Sequence, residues 1–290
     1  MVIIAYKGGG QLGNRLFLFA IFIAFCKEHN LKLYNPSFNE YGEYFENTKD
    51  NLVSCYPKKH KSISTSKLLK KIIYKISFHT ALLIAKIKIR NKIISTQSIG
   101  YMERMDLEQA TNAALFTSIF SFAQGWLFSA PGLLHKHRDS IIDYFIPIKK
   151  HNDNITNLIQ KIKKNADIII GVHIRHGDYS SFEGGKYFYS LEVYAKIMKN
   201  LLKFFRNKKV TFLVCSNEKQ DISIFDELNI VIGTNHLIED MYSFTKCDYI
   251  IGPPSTFTMW ASFYGSVPLY IMDTASDHPN SLEEFKIITS

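Results

Sequence analysis

From residue 167 onward the chain alternates apolar runs with stretches of helical spacing, and no other feature constrains its fold as much. Residues 168–174 (IIIGVHI) and 210–215 (VTFLVC) are continuous apolar runs of strand length, and residues 190–205 between them carry helix-spaced apolar positions. The pattern continues with a helix near 221–228, a strand near 230–232 and a helix from 239 to 244. A strand at 249–252, a helix at 256–264 and a last strand at 267–272 complete it. Strands joined through helices run parallel by right-handed crossovers. The predicted fold is therefore α/β with a mostly parallel, doubly wound sheet.

The N-terminal half begins in the same way. Residues 2–6 form an apolar run that ends at Gly8-Gly9-Gly10, and residues 14–29 read as a buried helix. The stretch 36–101 has no strand rhythm and is expected to be helical. No internal repeat or low-complexity linker interrupts the chain. The polar segment 149–154 (KKHNDN) is the natural boundary between domains of residues 1–150 and 151–290.

Hydrophobic residues make up 46% of the chain and aromatics 14%, which excludes a disordered composition. The formal charge of +9 points to a polyanionic partner without identifying it. Eight Lys or Arg and no acidic residue fall within 67–92, interleaved with Leu, Ile, Phe and Tyr. That block reads as a solvated helix pair whose Lys stems cover apolar neighbours, and the competing reading is a peripheral membrane contact. A nucleic-acid partner is not expected, because the charge sits in one block and no nucleic-acid-binding signature is present. Cys26, Cys55, Cys215 and Cys247 form no CxxC pair and read as reduced structural thiols. The apolar run 16–26 follows a strand and a glycine turn, lacks a small-x-small cleavage pattern and is too short for a bilayer. A cytoplasmic location is expected, with any membrane contact at the inner face.

Three motifs carry chemistry. Gly8-Gly9-Gly10-Gln11-Leu12-Gly13-Asn14-Arg15 lies between a strand and a helix, where backbone amides and a helix N-terminus can receive an anion. No acidic residue closes a strand about twenty residues on, so the dinucleotide fingerprint is not met, and a tight turn without a ligand is the alternative. His173-Ile174-Arg175-His176-Gly177-Asp178-Tyr179 follows a strand, at the sheet edge where open α/β sheets bind ligands. Arg175 offers a donor fork matched to phosphate, His173 another donor, and Gly177 a bend that turns Asp178 inward. An Arg175–Asp178 ion pair is the plain alternative. In the third motif, Glu239-Asp240 leads to Pro253-Pro254-Ser255-Thr256-Phe257, where Ser255 can cap a helix and its amides form a second phosphate cradle. Capping without a ligand is again the alternative.

Together these segments resemble glycosyltransferase family 11, the α-1,2-fucosyltransferases. GGGQLGNRLFLFA is similar to the family's GGLGNQLFQYA, VHIRHGDY to its HxRRGDY signature, and CDYIIGPPSTFTMWASFYG to its C-terminal STF-containing stretch. FAQGWLFSAPGLLHKHRDSIIDYF is similar to the G-Y-W-Q-S-x-K-Y-F segment. The resemblance implies a GT-B-like fold of two facing Rossmann-like domains: an acceptor-side domain with a basic helical insert, then a GDP-sugar-binding domain. It implies transfer of L-fucose from GDP-β-L-fucose to a glycan hydroxyl, galactose O2 in an α-1,2 linkage, with inversion. Arg175 would bind the β-phosphate, and Ser255, Thr256 and Phe257 the diphosphate. His173 and Asp240 would frame the nucleotide, while Gly10, Gly13 and Asn14 would border the cleft. The alternatives are another GDP-linked or deoxy sugar, or a non-catalytic nucleotide-sugar or glycan-binding module.

The chain departs from the family pattern at three places. His176 stands where the signature has a second arginine, which makes charge there depend on pH. Met259-Trp260 replaces a tryptophan pair, and residues 182–188 (FEGGKYF) form an insertion-like glycine turn. A direct displacement needs a base for the acceptor proton, and Glu183 and Asp178 are the two candidates. The sequence has no DxD pair to hold a divalent cation on the diphosphate, so no metal or other cofactor is expected.

Overall fold

A computed structural model of the chain describes residues 1–6, 10–58, 66–86, 93–95, 103–116 and 119–289. They divide into two compact units, Met1–Ile148, joined by Thr289, and Lys149–Ile288. The expected boundary segment 149–154 is not a linker but the first turns of a helix, and the division falls immediately before it.

The first unit contains β1 (Val2–Ile4), α1 (Leu12–Glu28), β2 (Leu33–Asn35), β3 (Ser54–Tyr56), α2 (Lys67–Lys86), β4 (Ile93–Ser95) and β5 (Met105–Asp106). It continues with α3 (Ala110–Ala114), β6 (Ser121–Gln124), β7 (Phe128–Ser129), α4 (Pro131–Lys136) and α5 (Arg138–Tyr144). The main sheet runs β3-β2-β1-β6-β4, parallel except for β3, and β5 pairs with β7 in a separate parallel ladder. Helix α1 has no polar face. Leu16, Phe19, Phe22, Ile23 and Cys26 are all fully buried, because α4 and α5 cover what the strands leave open. Asn30, in the left-handed region at φ 51°, ends the helix. Edge-to-face ring pairs of Phe19 with Phe38, Tyr144 and Phe145, and of Phe22 with Phe116 and Phe128, fix the packing of this core.

Two expectations fail in this unit. The stretch 36–101 is not wholly helical, since it contributes β3 and β4, whose three residues each are too few for a visible alternation. The block 67–92 supplies one described helix rather than a pair, and its residues 87–92 lie outside the described residues.

The second unit contains α6 (Lys149–Lys163), β8 (Ile168–Ile174), α7 (Leu191–Leu202), β9 (Val210–Ser216) and β10 (Ile230–Ile232). After these come α8 (Leu237–Phe244), β11 (Tyr249–Gly252), α9 (Thr256–Gly265) and β12 (Leu269–Ile271). All five strands are parallel, in the order β10-β9-β8-β11-β12. The helix expected near 221–228 is only a short 3-10 turn, Ile222–Phe225, begun by Asp221, whose carboxylate accepts from the Ser223 amide at 3.0 Å.

The two-residue period of β8 sorts its side chains. Ile170, Val172 and Ile174 join Tyr194, Met198 and Leu201 of α7 in one core layer. Gly171 and His173 face the opposite side. A Cβ on Gly171 would lie 2.6 Å from the Phe244 ring of α8, so glycine lets that helix approach the sheet closely. The α/β class with mostly parallel sheets is as the sequence predicts.

Candidate functional site

The strand order sets the location of the site. From β8 the chain winds outward through β9 to β10, then crosses back to place β11 and β12 on the other side of β8. The direction of winding reverses between β8 and β11, and in open parallel sheets the ligand crevice opens there, beyond the carboxyl ends of the strands. At the carboxyl ends of these two strands lie His173–Arg175 and Pro253–Phe257.

His173 is 3% exposed, and its ring stacks on Phe257 with centroids 4.9 Å apart. β8 and β11 meet so closely here that a Cβ on Gly252 would sit 2.9 Å from the Cβ of His173. Burial, reinforced by the Arg175 charge, lowers the His173 pKa to about 3. The imidazole is therefore neutral, and it can serve a ligand as a dipole or hydrogen-bond donor but not as a cation.

Arg175 is 9% exposed. Its Nη2 donates to Asp178 Oδ2 at 2.9 Å, and its Cζ lies 5.3 Å from the centre of the Tyr179 ring. The plain alternative of an Arg175–Asp178 ion pair is thus realised, and it occurs at the switch point itself. The pair does not exhaust the arginine. Its buried Nε has no hydrogen-bond partner among the described residues, and neither has the buried Nδ1 of His173. An unmatched buried polar atom costs about 1–3 kcal/mol. Two of them on neighbouring side chains at a ligand edge mark a place where a polar ligand would supply what the protein does not.

Across the switch, Ser255 takes the extended conformation of an N-cap, and its hydroxyl accepts from the Phe257 amide at 3.3 Å. Thr258 Oγ1 donates back to the Ser255 carbonyl at 3.0 Å. The N-terminus of α9 therefore lies just beyond the end of β11, with Ser255, Thr256 and Phe257 all half-buried. Tyr179 joins the two sides, donating its hydroxyl proton to the Pro254 carbonyl at 2.7 Å. This link brings the turn beneath Arg175 against the residue that precedes Ser255.

The turn after Arg175 is held from β9. Asn217 receives a hydrogen bond from the His176 amide at 3.0 Å and donates one to the His176 carbonyl at 3.2 Å. Gly177 follows at φ 58°, and any side chain there would collide with Asn217 and Glu218. His176 does not present an open imidazole. Nε2 donates to the Tyr189 carbonyl at 2.8 Å, and the ring stacks on Phe188 at 4.3 Å. Phe182 stacks in turn on Tyr179 at 5.1 Å. The insertion-like residues 182–188 therefore pack over the signature turn, while Phe182 and Phe188 each remain 41% exposed. Glu183 stands exposed in this turn at φ 50°, in the left-handed region that non-glycine residues rarely occupy. Asp178 differs, since its carboxylate is held by Arg175.

Asp240 is nearly buried, and its Oδ1 accepts from the Thr234 amide at 2.8 Å. Burial raises its pKa to about 6 despite the hydrogen bonds that favour the anion. Its contacts tie the loop beyond β10 to α8, so the backbone of that loop is what Asp240 positions. Glu239 beside it accepts from Asn154 and pairs with His151 Nδ1 at 2.8 Å. His151 and His236 stack at 4.4 Å. These three side chains are the one group with metal-ligand spacing among the described residues; their hydrogen bonds lock α6 to α8.

The site residues expected in the first unit lie at the start of α1. Gly10 lies at φ 99° against Asn14, and Gly13 is buried in the first turn. Gly8 and Gly9 lie outside the described residues. Arg15 covers the Tyr6 ring at 4.7 Å. Tyr179 and Asn217 are functional candidates that the sequence motifs alone do not single out. Both follow strands of the parallel sheet, and applying the strand-end rule to β9 as well as β8 finds Asn217.

The second unit is a doubly wound parallel sheet with an arginine and a capped helix N-terminus at its switch point, an arrangement able to receive a phosphate-bearing ligand. The sequence profile of glycosyl transferase family 11 matches residues 43–284, and the chain belongs to that family. No curated protein sequence matches it. Among solved structures, it is similar to a point mutant of Arabidopsis thaliana FUT1 in complex with GDP, at 12% identity and a TM-score of 0.55, over 97% of this chain and 71% of that one. It is also similar to the fucosyltransferase NodZ from Bradyrhizobium, at 14% identity and a TM-score of 0.50, over 94% and 96% of the two chains. A NodZ α-1,6-fucosyltransferase crystal soaked with GDP-fucose gives 15% identity and a TM-score of 0.55, over 96% and 99%. At these identities the likeness is one of fold.

Proposed function

We propose that the chain is an inverting fucosyltransferase that moves L-fucose from GDP-β-L-fucose to a glycan hydroxyl, galactose O2 in an α-1,2 linkage. Family membership and a fold shared with structures solved with GDP and GDP-fucose support this reading. The observation that carries it is Arg175, with an unmatched Nε, at the switch point beside the Ser255-capped start of α9.

In the proposed reaction the diphosphate lies against Arg175 and the N-terminus of α9. The acceptor oxygen attacks the anomeric carbon from the face opposite the diphosphate, and the bond from that carbon to the β-phosphate oxygen breaks. GDP departs with its new negative charge balanced by the guanidinium. Glu183 takes the acceptor proton, a task for which it is better placed than Asp178, already bound to Arg175. The exposed rings of Phe182 and Phe188 offer apolar faces to an acceptor sugar. No divalent ion takes part in this scheme, since the sequence lacks a DxD pair and the arginine and helix terminus supply the positive potential. Turnover should therefore survive EDTA. Loss on chelation with recovery on adding Mg²⁺ would remove this part of the proposal.

The decisive experiment mixes the protein with GDP- and UDP-sugars and galactose-terminated acceptors and reads products by mass. Arg175→Ala should lose about a hundredfold or more in turnover, together with GDP binding and with little change in melting temperature. Full turnover in that variant would refute the site. A product from another GDP-linked sugar would replace the donor but keep the site.

A further inference from the structure

Helix α2 is anchored on one side and bare on the other. On the anchored side Tyr74 donates to the Tyr6 carbonyl at 3.2 Å, and the Lys70 carbonyl accepts from Asn39 at 2.7 Å. Ala81 is fully buried in a cluster with Ala5 and Phe122, where Ile84 also packs. The opposite side follows the helical spacing 68, 72, 76, 83 and should be polar in a solvated helix. Instead Leu68 is 68% exposed, Ile76 59% and Leu83 58%, with Leu69, Ile72 and Leu82 also exposed. These apolar side chains are left exposed rather than covered.

The charge on this helix is of one sign. Lys71 and Lys75 stand exposed beside the apolar row, and the helix holds no Asp or Glu. Among the described residues its ion pairing is confined to its first residue, where Lys67 meets Glu43 at 2.8 Å. Twenty residues of α-helix extend about 30 Å. No described helix is apolar enough to cross a membrane, so a bilayer could meet α2 only along its side. Leucines and isoleucines that enter the acyl boundary, with lysines at headgroup level, are what an anionic lipid surface binds.

We propose that the outer face of α2 is a docking surface for an anionic lipid bilayer, on which the helix lies in the interfacial plane. The proposal concerns the first unit alone and is independent of the donor reading. Turnover on a soluble acceptor should be the same in every variant below, so either proposal can fail without the other.

The test is co-sedimentation with phosphatidylcholine vesicles, with and without phosphatidylglycerol. The protein should pellet with the anionic vesicles, at least about tenfold better than with the neutral ones, and raising the salt should release it. Ile72→Glu/Ile76→Glu/Leu83→Glu should abolish pelleting, and Lys71→Gln/Lys75→Gln should weaken it about tenfold. Unchanged melting temperatures would show that both variants are folded, and Leu68→Ser/Leu83→Ser serves as a milder check if the triple variant is not. Failure to pellet with anionic vesicles, or equal pelleting of the folded glutamate variant, would overturn the proposal. So would a wild-type dimer that the same substitutions turn into monomers, because the face would then belong to a second copy.

Discussion

The two units build the same kind of sheet and use it differently. In the first, strands of two to four residues and the helices α4 and α5 enclose the buried α1, and aromatic rings dominate the interior. In the second, β8 and β9 each run seven residues, and polar groups gather where the winding reverses. Buried Glu239, Asp240, His173 and Arg175 all belong to it. The contrast teaches that the first unit rests on apolar packing, whereas the second combines a packed core with buried charged groups. Loss of a core ring in the first unit should change stability alone, and loss of a switch-point residue in the second should change stability and ligand binding together.

The comparison is most exposed to failure at Phe19, which makes three edge-to-face contacts in the first unit. Phe19→Ala should cost about 3–5 kcal/mol of stability, read as a fall in urea midpoint, with donor binding by the remaining folded protein unchanged. Selective loss of GDP binding would break the division. The counterpart in the second unit is Asp240, whose pKa is near 6 in the fold against 3.8 unfolded. Because folding favours its protonated form, the stability it contributes is lost as pH rises from about 4 through 6. Asp240→Asn should remove up to about 3 kcal/mol of that decline in a pH series of melting curves.

His173 gives the opposite slope. Its folded value near 3 lies below the unfolded 6.5, so its contribution is present above pH 6.5 and lost as pH falls toward 3. His173→Gln should flatten the loss of stability on acidification from pH 6.5 toward 3, whereas Asp240→Asn should flatten the loss on raising the pH from about 4 through 6. Identical profiles for the two variants would contradict the opposed titrations. Smaller effects follow at the switch. Ser255→Ala should cost about 1 kcal/mol and weaken GDP binding as well. Tyr179→Phe should cost about 1 kcal/mol by leaving the Pro254 carbonyl without its donor. Its test is whether turnover falls more than stability does.

How much of this was legible depended on strand length. Six or seven apolar residues in a row, as in β8 and β9, announce a buried parallel strand, and the three residues of β10 stand out because turn and helix signals flank them. β3 and β4 have the same length but no such frame around them, and β5 and β7 are two residues long. Pairing rather than local pattern makes those segments strands. The glycine, arginine and serine positions of the second unit could be read because the fold rule places residues at strand ends. The stacking of Phe188 on His176 could not, because it brings together the two ends of a turn whose path no residue type dictates. The bare face of α2 was equally hidden. Its composition fits a covered or an uncovered helix, and only side-chain exposure separates the two.

The hydroxyl link from Tyr179 to Pro254 joins residues 75 positions apart in the chain. A growing or truncated polypeptide that stops before β11 would carry the whole arginine signature and still have half a crevice. The ligand-binding edge is completed only when the chain returns to the far side of β8, so a ligand held by both halves would favour the finished sheet over every shorter one. Under the proposed function, donor nucleotide would also favour the second unit only once it has been wound in the correct order.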